Sequence, residues 1–386
     1  MSSVEWPAKE IHISAPGKVI LHGEHAVVYG KAAIAASLNV RCFLKLKVMS
    51  DSNISLCLPD VNINTQMSVL SIKEQLENFM DAGSIKDPSG ATDDIVLKIK
   101  KFAGIDPENK ETKNLAIVAF LYLYSNIFHE KGEYPAMSIS MKSDLPVGAG
   151  LGSSAAFSVS LAAAFLELAG FIESQKLEDE GLSWKPEDKT VINKWAFIGE
   201  KIIHGRPSGI DNAISTYGGA LKMQSGTITA FEKMPTLSVM LVNTQVPRST
   251  MTLVAGVRQK HNLYQDIMDP ILNAVEAISK RAEDIYKSSI SPEHYKTLGE
   301  LMELNHNLLN AMGVGHPTLD QIVAVTKKHG FHSKLTGAGG GGCAFVLVPP
   351  SSSDDSIESL KTELTDLGYQ VWKKISVGGP GVLREL

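Results

Sequence analysis

The chain has 386 residues, 44% hydrophobic and 20% charged, and a net charge of −5. That composition describes a globular protein of two or three packed units, and it leaves no basic footprint for nucleic acid or an acidic membrane surface. Three scattered cysteines, Cys42, Cys57 and Cys343, exclude a disulfide framework and fit a reducing compartment.

In chain order, Ile11-His-Ile-Ser14 alternates as a strand, Ala15-Pro-Gly17 breaks it, and alternation resumes over 40–48. Polar helices and loops of low definition are expected around 74–112, then a mostly buried helix over 113–128. Its apolar stretch, Leu115 to Tyr124, is the longest in the chain and falls short of a membrane span. Met1-Ser-Ser-Val-Glu-Trp6 lacks the regions of a signal peptide, and Arg384-Glu-Leu386 is not a peroxisomal C-terminal address. Period-two alternation over 137–142 predicts a strand, and an alanine-rich helix is expected over 153–173. The charged stretch from Lys176 to Lys189 reads as a surface insertion. Helical spacing over 191–204 stops at Gly205, with Pro207 beyond it. Alternation over 237–243 opens a second domain, which divides the chain into 1–231 and 232–386. Helical patterns fill 249–288 and 292–312. A glycine loop over 336–343, a strand over 344–348 and a loop over 349–355 follow. This mixture lacks a βαβ repeat, and the fold class is α+β.

The most informative segment is Asp144-Leu-Pro-Val-Gly-Ala-Gly-Leu-Gly-Ser-Ser-Ala-Ala156. Gly148, Gly150 and Gly152 alternate just before a helix opened by Ser153 and Ser154. Uncovered backbone N–H groups and a helix N-terminus form an anion site, which points to the phosphates of a nucleoside triphosphate. A Walker A loop would need a lysine before the serine, and none is present. A dinucleotide fingerprint read from Gly148 ends on Ser153. Read from Gly150 it ends on a tolerated Ala155, but a charged segment follows where the second strand belongs. A ligand-free glycine connection is the plainer alternative.

Four further groups could carry chemistry. Lys18, just past a Pro-Gly turn, is placed to reach a phosphate or a developing alkoxide, or is a solvated lysine. His22-Gly-Glu-His25 lacks zinc-helix spacing. Glu200 could hold Mg²⁺ or form a surface pair with His204 one turn on. Asp211 could act as a base, or as a capping carboxylate in Ser208-Gly-Ile-Asp211, and the two roles are compatible. Five glycines within 337–342 permit close approach to a ligand or a tight bend. Together these groups supply the parts of a phosphoryl-transfer site: a phosphate cradle, a metal carboxylate with a hydroxyl, a base and a cation.

Three blocks resemble the signature motifs of the GHMP small-molecule kinases: residues 14–26, 146–156 and 334–343. Within that family, the runs 193–212 and 243–250 are similar to the animal-type mevalonate kinases. The resemblance implies a ribosomal-protein-S5-like N-terminal domain, a ferredoxin-like C-terminal domain and a site between them. It implies phosphorylation of (R)-mevalonate to 5-phosphomevalonate by ATP and Mg²⁺, in isoprenoid and sterol biosynthesis. Asp211 then matches the base, and Lys18 the cation at the alkoxide and the transferred group. Ser154 and Glu200 match the Mg²⁺ ligands. Gly148, Ala149, Gly150, Leu151, Gly152, Ser153 and Ser154 match the ATP loop, with Ser143 beside it. Glu24, His25 and Thr250 match the substrate side. Asp60 departs from the family's usual asparagine near the adenine and is left out of the site. The resemblance also implies a homodimer and inhibition by prenyl diphosphates such as farnesyl diphosphate. The alternatives are another GHMP kinase, such as galactokinase or phosphomevalonate kinase, or a dead relative that only senses ATP. A dead relative should have lost one of Lys18, Ser154, Glu200 and Asp211, and all four are present. Lys18-Val19 with His25-Ala26 resembles an N-terminal peroxisomal address, but these are motif residues, so a cytoplasmic location is expected.

Overall fold

Two long antiparallel strands, β1 (Glu10–His22) and β2 (Ala33–Val48), form the frame that positions the site. The computed structural model describes residues 6–79, 83–146, 148–177 and 181–386. Residues 1–5 of the N-terminal reading, Val147 of the glycine loop and 178–180 of the expected insertion lie outside the described residues.

β1 does not stop at Ala15-Pro-Gly17. It runs through, and its register against β2 slips between Pro16 and Lys18, which marks a bulge. Proline removes a ladder donor there, and the bulge absorbs the extra residue. Gly17 is required by space, since a Cβ on it would lie 2.4 Å from Leu145 Cδ2 and 2.7 Å from the Leu151 carbonyl oxygen.

The further strands are β3 (Asn53–Leu58), β4 (Ile63–Ser68), β5 (Met137–Ser143), β6 (Ala220–Gln224), β7 (Thr227–Ala230), β8 (Leu237–Asn243), β9 (His332–Leu335), β10 (Cys343–Leu347), β11 (Gln370–Val377) and β12 (Leu383–Glu385). Among the described residues these form one 12-stranded sheet with the path β9-β10-β8-β11-β2-β5-β3-β4. β1 pairs with β2 and β12, and β6 pairs with β2 and β7. Among the described residues only β3 and β5 run parallel. A single pair, Val377 with Leu38, joins the C-terminal strands to β2.

The helices are α1 (Val69–Leu76), α2 (Asp93–Phe102), α3 (Thr112–Lys131), α4 (Ser153–Leu168), α5 (Pro186–His204), α6 (Ile210–Tyr217), α7 (Thr250–Leu263), α8 (Gln265–Tyr286), α9 (Pro292–Met312), α10 (Pro317–Lys328) and α11 (Asp354–Asp366). α3 and α4 are buried nearly all round, as their apolar runs predict. The helix expected over 249–288 is two helices, broken at Tyr264. The expected surface insertion is corrected at its C-terminal end. Ser183 and Trp184 are fully buried, the Ser183 hydroxyl donates to the Val382 carbonyl at 3.0 Å, and Pro186 already opens α5.

β8 and β10 are covered on both faces. Leu237, Val239 and Leu241 of β8 enter the larger core, while Met240 and Val242 enter a second one. Cys343, Phe345 and Leu347 of β10 divide from Ala344 and Val346 in the same way. Burial on both sides explains their continuous apolar runs.

Arg41 on β2 ties the C-terminal segment to β1. Its Nε donates to Ser14 Oγ at 2.7 Å, its Nη2 to the Ser14 and Gly381 carbonyls at 3.0 and 2.6 Å, and its Nη1 to the Pro380 carbonyl at 3.2 Å. Burial lowers its pKa to about 10, so it is charged at neutral pH. The next residue, Val382, donates its N–H to the Thr216 carbonyl in α6 at 3.2 Å. Arg41→Met strips these carbonyls of their donor and is expected to lower unfolding free energy by about 2–3 kcal/mol. Urea unfolding measures this, and a change below about 0.5 kcal/mol would mean that water replaces the guanidinium.

Candidate active site

The β1 bulge and the first glycine loop are stitched together. The Lys18 N–H donates to the Leu151 carbonyl at 2.8 Å. The Lys18 residue is 6% exposed, and its Nζ lies 3.3 Å from Asp211 Oδ1. Asp211 sits in the first turn of α6. That helix is capped by Gly209 in the left-handed region, at φ +83°, with no side-chain cap, so the capping-box alternative for Asp211 does not hold. Two bonds fix α6: Ser215 Oγ donates to the Pro16 carbonyl at 2.8 Å, and Asn212 Nδ2 to Asn193 Oδ1 at 2.7 Å.

Gly148, Gly150 and Gly152 all have φ between +76° and +79°, where a Cβ is disfavoured. Gly152 caps α4, and among the described residues no side-chain cap bond is made at the first N–H groups of that helix. These donors are left for a ligand. The neighbouring Ser143 N–H donates to Asp60 Oδ2 at 2.7 Å, so the residue that departs from the family pattern is tied to the edge of this region.

Glu200 is 3% exposed, and its Oε1 has no hydrogen-bond partner. Burial first, and the nearby Asp211 charge second, push its pKa up to about 8, against the opposing pull of Ser154 and Lys18. A buried carboxylate with an orphaned oxygen, close to a second carboxylate, fits a cation. Among the described residues no cluster of three or more histidine, cysteine or acidic side chains could hold a metal. Mg²⁺ does not need one, since one or two carboxylates suffice when phosphate oxygens complete its shell. Ser154 Oγ lies 2.9 Å from His204 Nε2. His204 therefore bonds Ser154, and Glu200 is a buried group, not half of a surface pair. Burial lowers the His204 pKa, and Asp211 opposes this.

The substrate-side candidates fall in two places. His25 takes a left-handed backbone, at φ +59°, and its Nε2–H donates to the Ala338 carbonyl at 2.8 Å. Burial lowers its pKa. Glu24 is enclosed: Oε1 pairs with Lys334, and Oε2 accepts from Asn305 Nδ2 at 3.1 Å. Thr250 is exposed in the first turn of α7, which Ser249 caps.

Arg248 was missed in the residue-by-residue reading. Its Nη2 donates to the Ala149 carbonyl at 3.2 Å, while Nε and Nη1 are buried without partners. Glycines make room for it, since a Cβ on Gly150 would lie 1.7 Å from Nη2 and one on Gly342 would lie 2.5 Å from Nε. Burial lowers its pKa. The signal available in the sequence was indirect: two glycine-dense loops that leave space for one long cationic side chain.

Residues 114–219 match the GHMP kinases N terminal domain, and residues 281–370 match the GHMP kinases C terminal family. The chain belongs to the GHMP kinases. Over 374 residues it is 46% identical to the mevalonate kinase of Bos taurus, covering 96% of this chain and 93% of that relative. Among solved structures, the Methanococcus jannaschii mevalonate kinase matches with a TM-score of 0.69 at 25% identity, covering 97% of this chain and 99% of that one. The L. major mevalonate kinase in complex with R-mevalonate matches with a TM-score of 0.65 at 20% identity, covering 98% of each chain. The two-domain GHMP kinase fold, with mixed α and β content, is the fold of this chain.

The raised pKa of Glu200 predicts how metal-free protein responds to pH. The native state holds the Glu200 proton up to about 8, whereas an unfolded glutamate releases it near its ordinary value of 4.5. Native protein then binds more protons across that window, so this group's contribution to stability falls as pH rises through it. Glu200→Gln removes that slope. In EDTA the variant should gain on wild type between pH 5 and pH 8 by about 3–5 kcal/mol at most. A stability difference that is equal at the two pH values would show that Glu200 ionises normally.

Proposed function

We propose that this GHMP kinase transfers the γ-phosphoryl group of ATP to the 5-hydroxyl of (R)-mevalonate, releasing ADP and 5-phosphomevalonate. The observation that carries the reading is the Lys18–Asp211 pair, 3.3 Å apart, beside the open N-terminus of α4. The names of the high-coverage relatives support the choice of substrate.

In this reading Asp211 accepts the proton of the attacking hydroxyl. The new P–O bond forms as the bond to ADP breaks. Lys18 stabilises the negative charge on the attacking oxygen and the transferred group. The backbone N–H groups over 148–154 cradle the phosphates. Arg248 offers its two unpaired donors to an anionic oxygen, a phosphate or the substrate carboxylate. Ser154 and Glu200 would hold Mg²⁺, whose chemistry is to neutralise phosphate charge. His25 and Thr250 are assigned to the substrate side. The division at 231 and 232, a homodimer, a cytoplasmic location and inhibition by prenyl diphosphates belong to the same reading; sedimentation and competition against ATP test the dimer and the inhibitors.

Asp211→Asn preserves shape but cannot take the proton, and turnover should fall about 10²–10⁴-fold with little change in melting temperature. Near-normal turnover would reject Asp211 as the base. A panel of mevalonate, galactose and phosphomevalonate at fixed Mg-ATP separates this chemistry from that of other family members.

Ser154→Ala and Glu200→Gln should each raise the Mg²⁺ concentration needed for half-maximal rate. The double variant should lose less than the product of the two effects, because both remove ligands from one ion. Multiplicative losses at an unchanged Mg²⁺ requirement would refute a shared ion.

A further inference from the structure

The first and third motifs meet through a pair of charges that the phosphoryl-transfer chemistry does not use. The side chains of Glu24 and Lys334 are both 0% exposed and are paired with each other. Asn305 of α9 occupies the second oxygen of Glu24. Lys334 Nζ also donates to the Leu335 carbonyl at 2.8 Å and lies 5.2 Å from the centre of the Phe345 ring. Neither charge is open to a ligand unless this pair breaks.

Burying two charges is expensive, and an apolar pair of similar volume would fill the space at lower cost. The location indicates what the pair does. Glu24 lies two residues past the end of β1 and directly precedes His25, whose backbone is left-handed. Lys334 lies two residues before Thr336, where the second glycine loop begins. The two segments are joined at successive points along that loop. Thr336 Oγ1 donates to the Ile20 carbonyl at 2.9 Å and accepts from the Ile20 N–H at 3.1 Å. Further along, the Ala338 carbonyl accepts from His25. Gly337 and Gly342 of the same loop pack on Arg248, which in turn bonds the first glycine loop at Ala149.

We propose that Glu24 and Lys334 are positioning residues: their buried pair sets the register of the loop over 336–342 against β1, and through it the placement of His25 and Arg248. This rests on the phosphotransferase reading above, and it removes Glu24 from direct contact with substrate.

The test uses Glu24→Gln, Lys334→Met and the double variant in the full chain. Three quantities are measured: melting temperature, steady-state kinetics over ATP and mevalonate, and the ¹⁵N shifts of the His25 imidazole. Wild type should show the tautomer protonated at Nε2. Each single variant leaves one partner buried alone and should melt earlier, and the double variant should recover much of that loss. Its kcat should nevertheless stay about 10²-fold below wild type, because a misplaced site loses rate without losing fold. Its His25 signal should lose the Nε2–H signature. Glu24→Asp keeps the charge but withdraws it by one methylene, and it carries the same expectations if the double variant does not fold. Wild-type kcat and an unchanged His25 signal in a folded double variant, or in Glu24→Asp, would overturn the proposal. A rise confined to the KM for mevalonate in Glu24→Gln, with Lys334→Met unaffected, would place Glu24 on the substrate instead. Absence of mevalonate phosphorylation in wild type would reject the underlying reading, and the His25 signal would still judge the pair.

Discussion

Glu200 is a buried carboxyl with an unpartnered oxygen at the packing of α4 on α5, and much of the local architecture follows from that. The Asp211 charge adds to burial in raising the Glu200 pKa, and Lys18 pairs directly with Asp211. Glu200 keeps an oxygen unpartnered in a buried position. A protein does not hold a buried carboxylate this way without a compensating cation, unless the group takes up a proton. Holding it there requires α4 and α5 to pack closely. Gly199 permits this, since a Cβ on it would lie 2.8 Å from Ser158 Oγ. The same contact brings the residue after Gly199 towards the N-terminal turn of α4, where Ser154 lies. The packing that builds the core therefore also brings Glu200 beside Ser154.

A second constraint is the lack of room for side chains where backbones converge. Gly17 abuts Leu145 and Leu151, Gly150 and Gly342 abut Arg248, and Gly152 abuts Lys18. In the first loop, positive φ and close approach both select glycine, and the two demands reinforce each other. In the second loop Gly337 and Gly342 make room for Arg248, while a Cβ on Gly339, Gly340 or Gly341 would meet Val314, Leu253 or Val246. This explains why five of six positions there dispense with a side chain.

Local pattern alone is enough to define several elements. The strand over 137–142, the helix opened by Ser153 and the helix ending at Gly205 appear close to their expected bounds, because each rests on a periodicity or a terminator within a few residues. The bulge at Pro16 was read as a break, since proline and glycine mark either outcome and only the pairing with β2 distinguishes them. Trp184 was placed on the surface because its neighbours are charged. It lies in the larger core, and the adjacent Ser183 bonds Val382, about two hundred residues later. The Glu24–Lys334 pair spans 310 positions. No spacing rule links such residues, and each looks alone like a solvated charge. Arg248 escaped for the same reason, since its environment is made of loops distant in sequence.

These limits reflect how work is divided within the site. In the proposed function phosphate is held by backbone N–H groups and a helix terminus, whose placement depends on φ angles and local sequence, and so it is written in a short motif. Such a cradle takes any pyrophosphate without regard to what is attached to it. In the proposed function, discrimination between alcohols must then come from side chains, and those assigned to it, His25, Arg248 and Thr250, arrive on the segment after β1 and on the segment that leads into α7. Their relative placement is a tertiary property, set by contacts such as His25 with Ala338 and Arg248 with Ala149. A relative could keep the cradle, the base and the lysine unchanged and still change its substrate by shifting one segment against the other. The phosphate motif thus identifies the reaction, while the alcohol is chosen by how the two halves of the chain are held together.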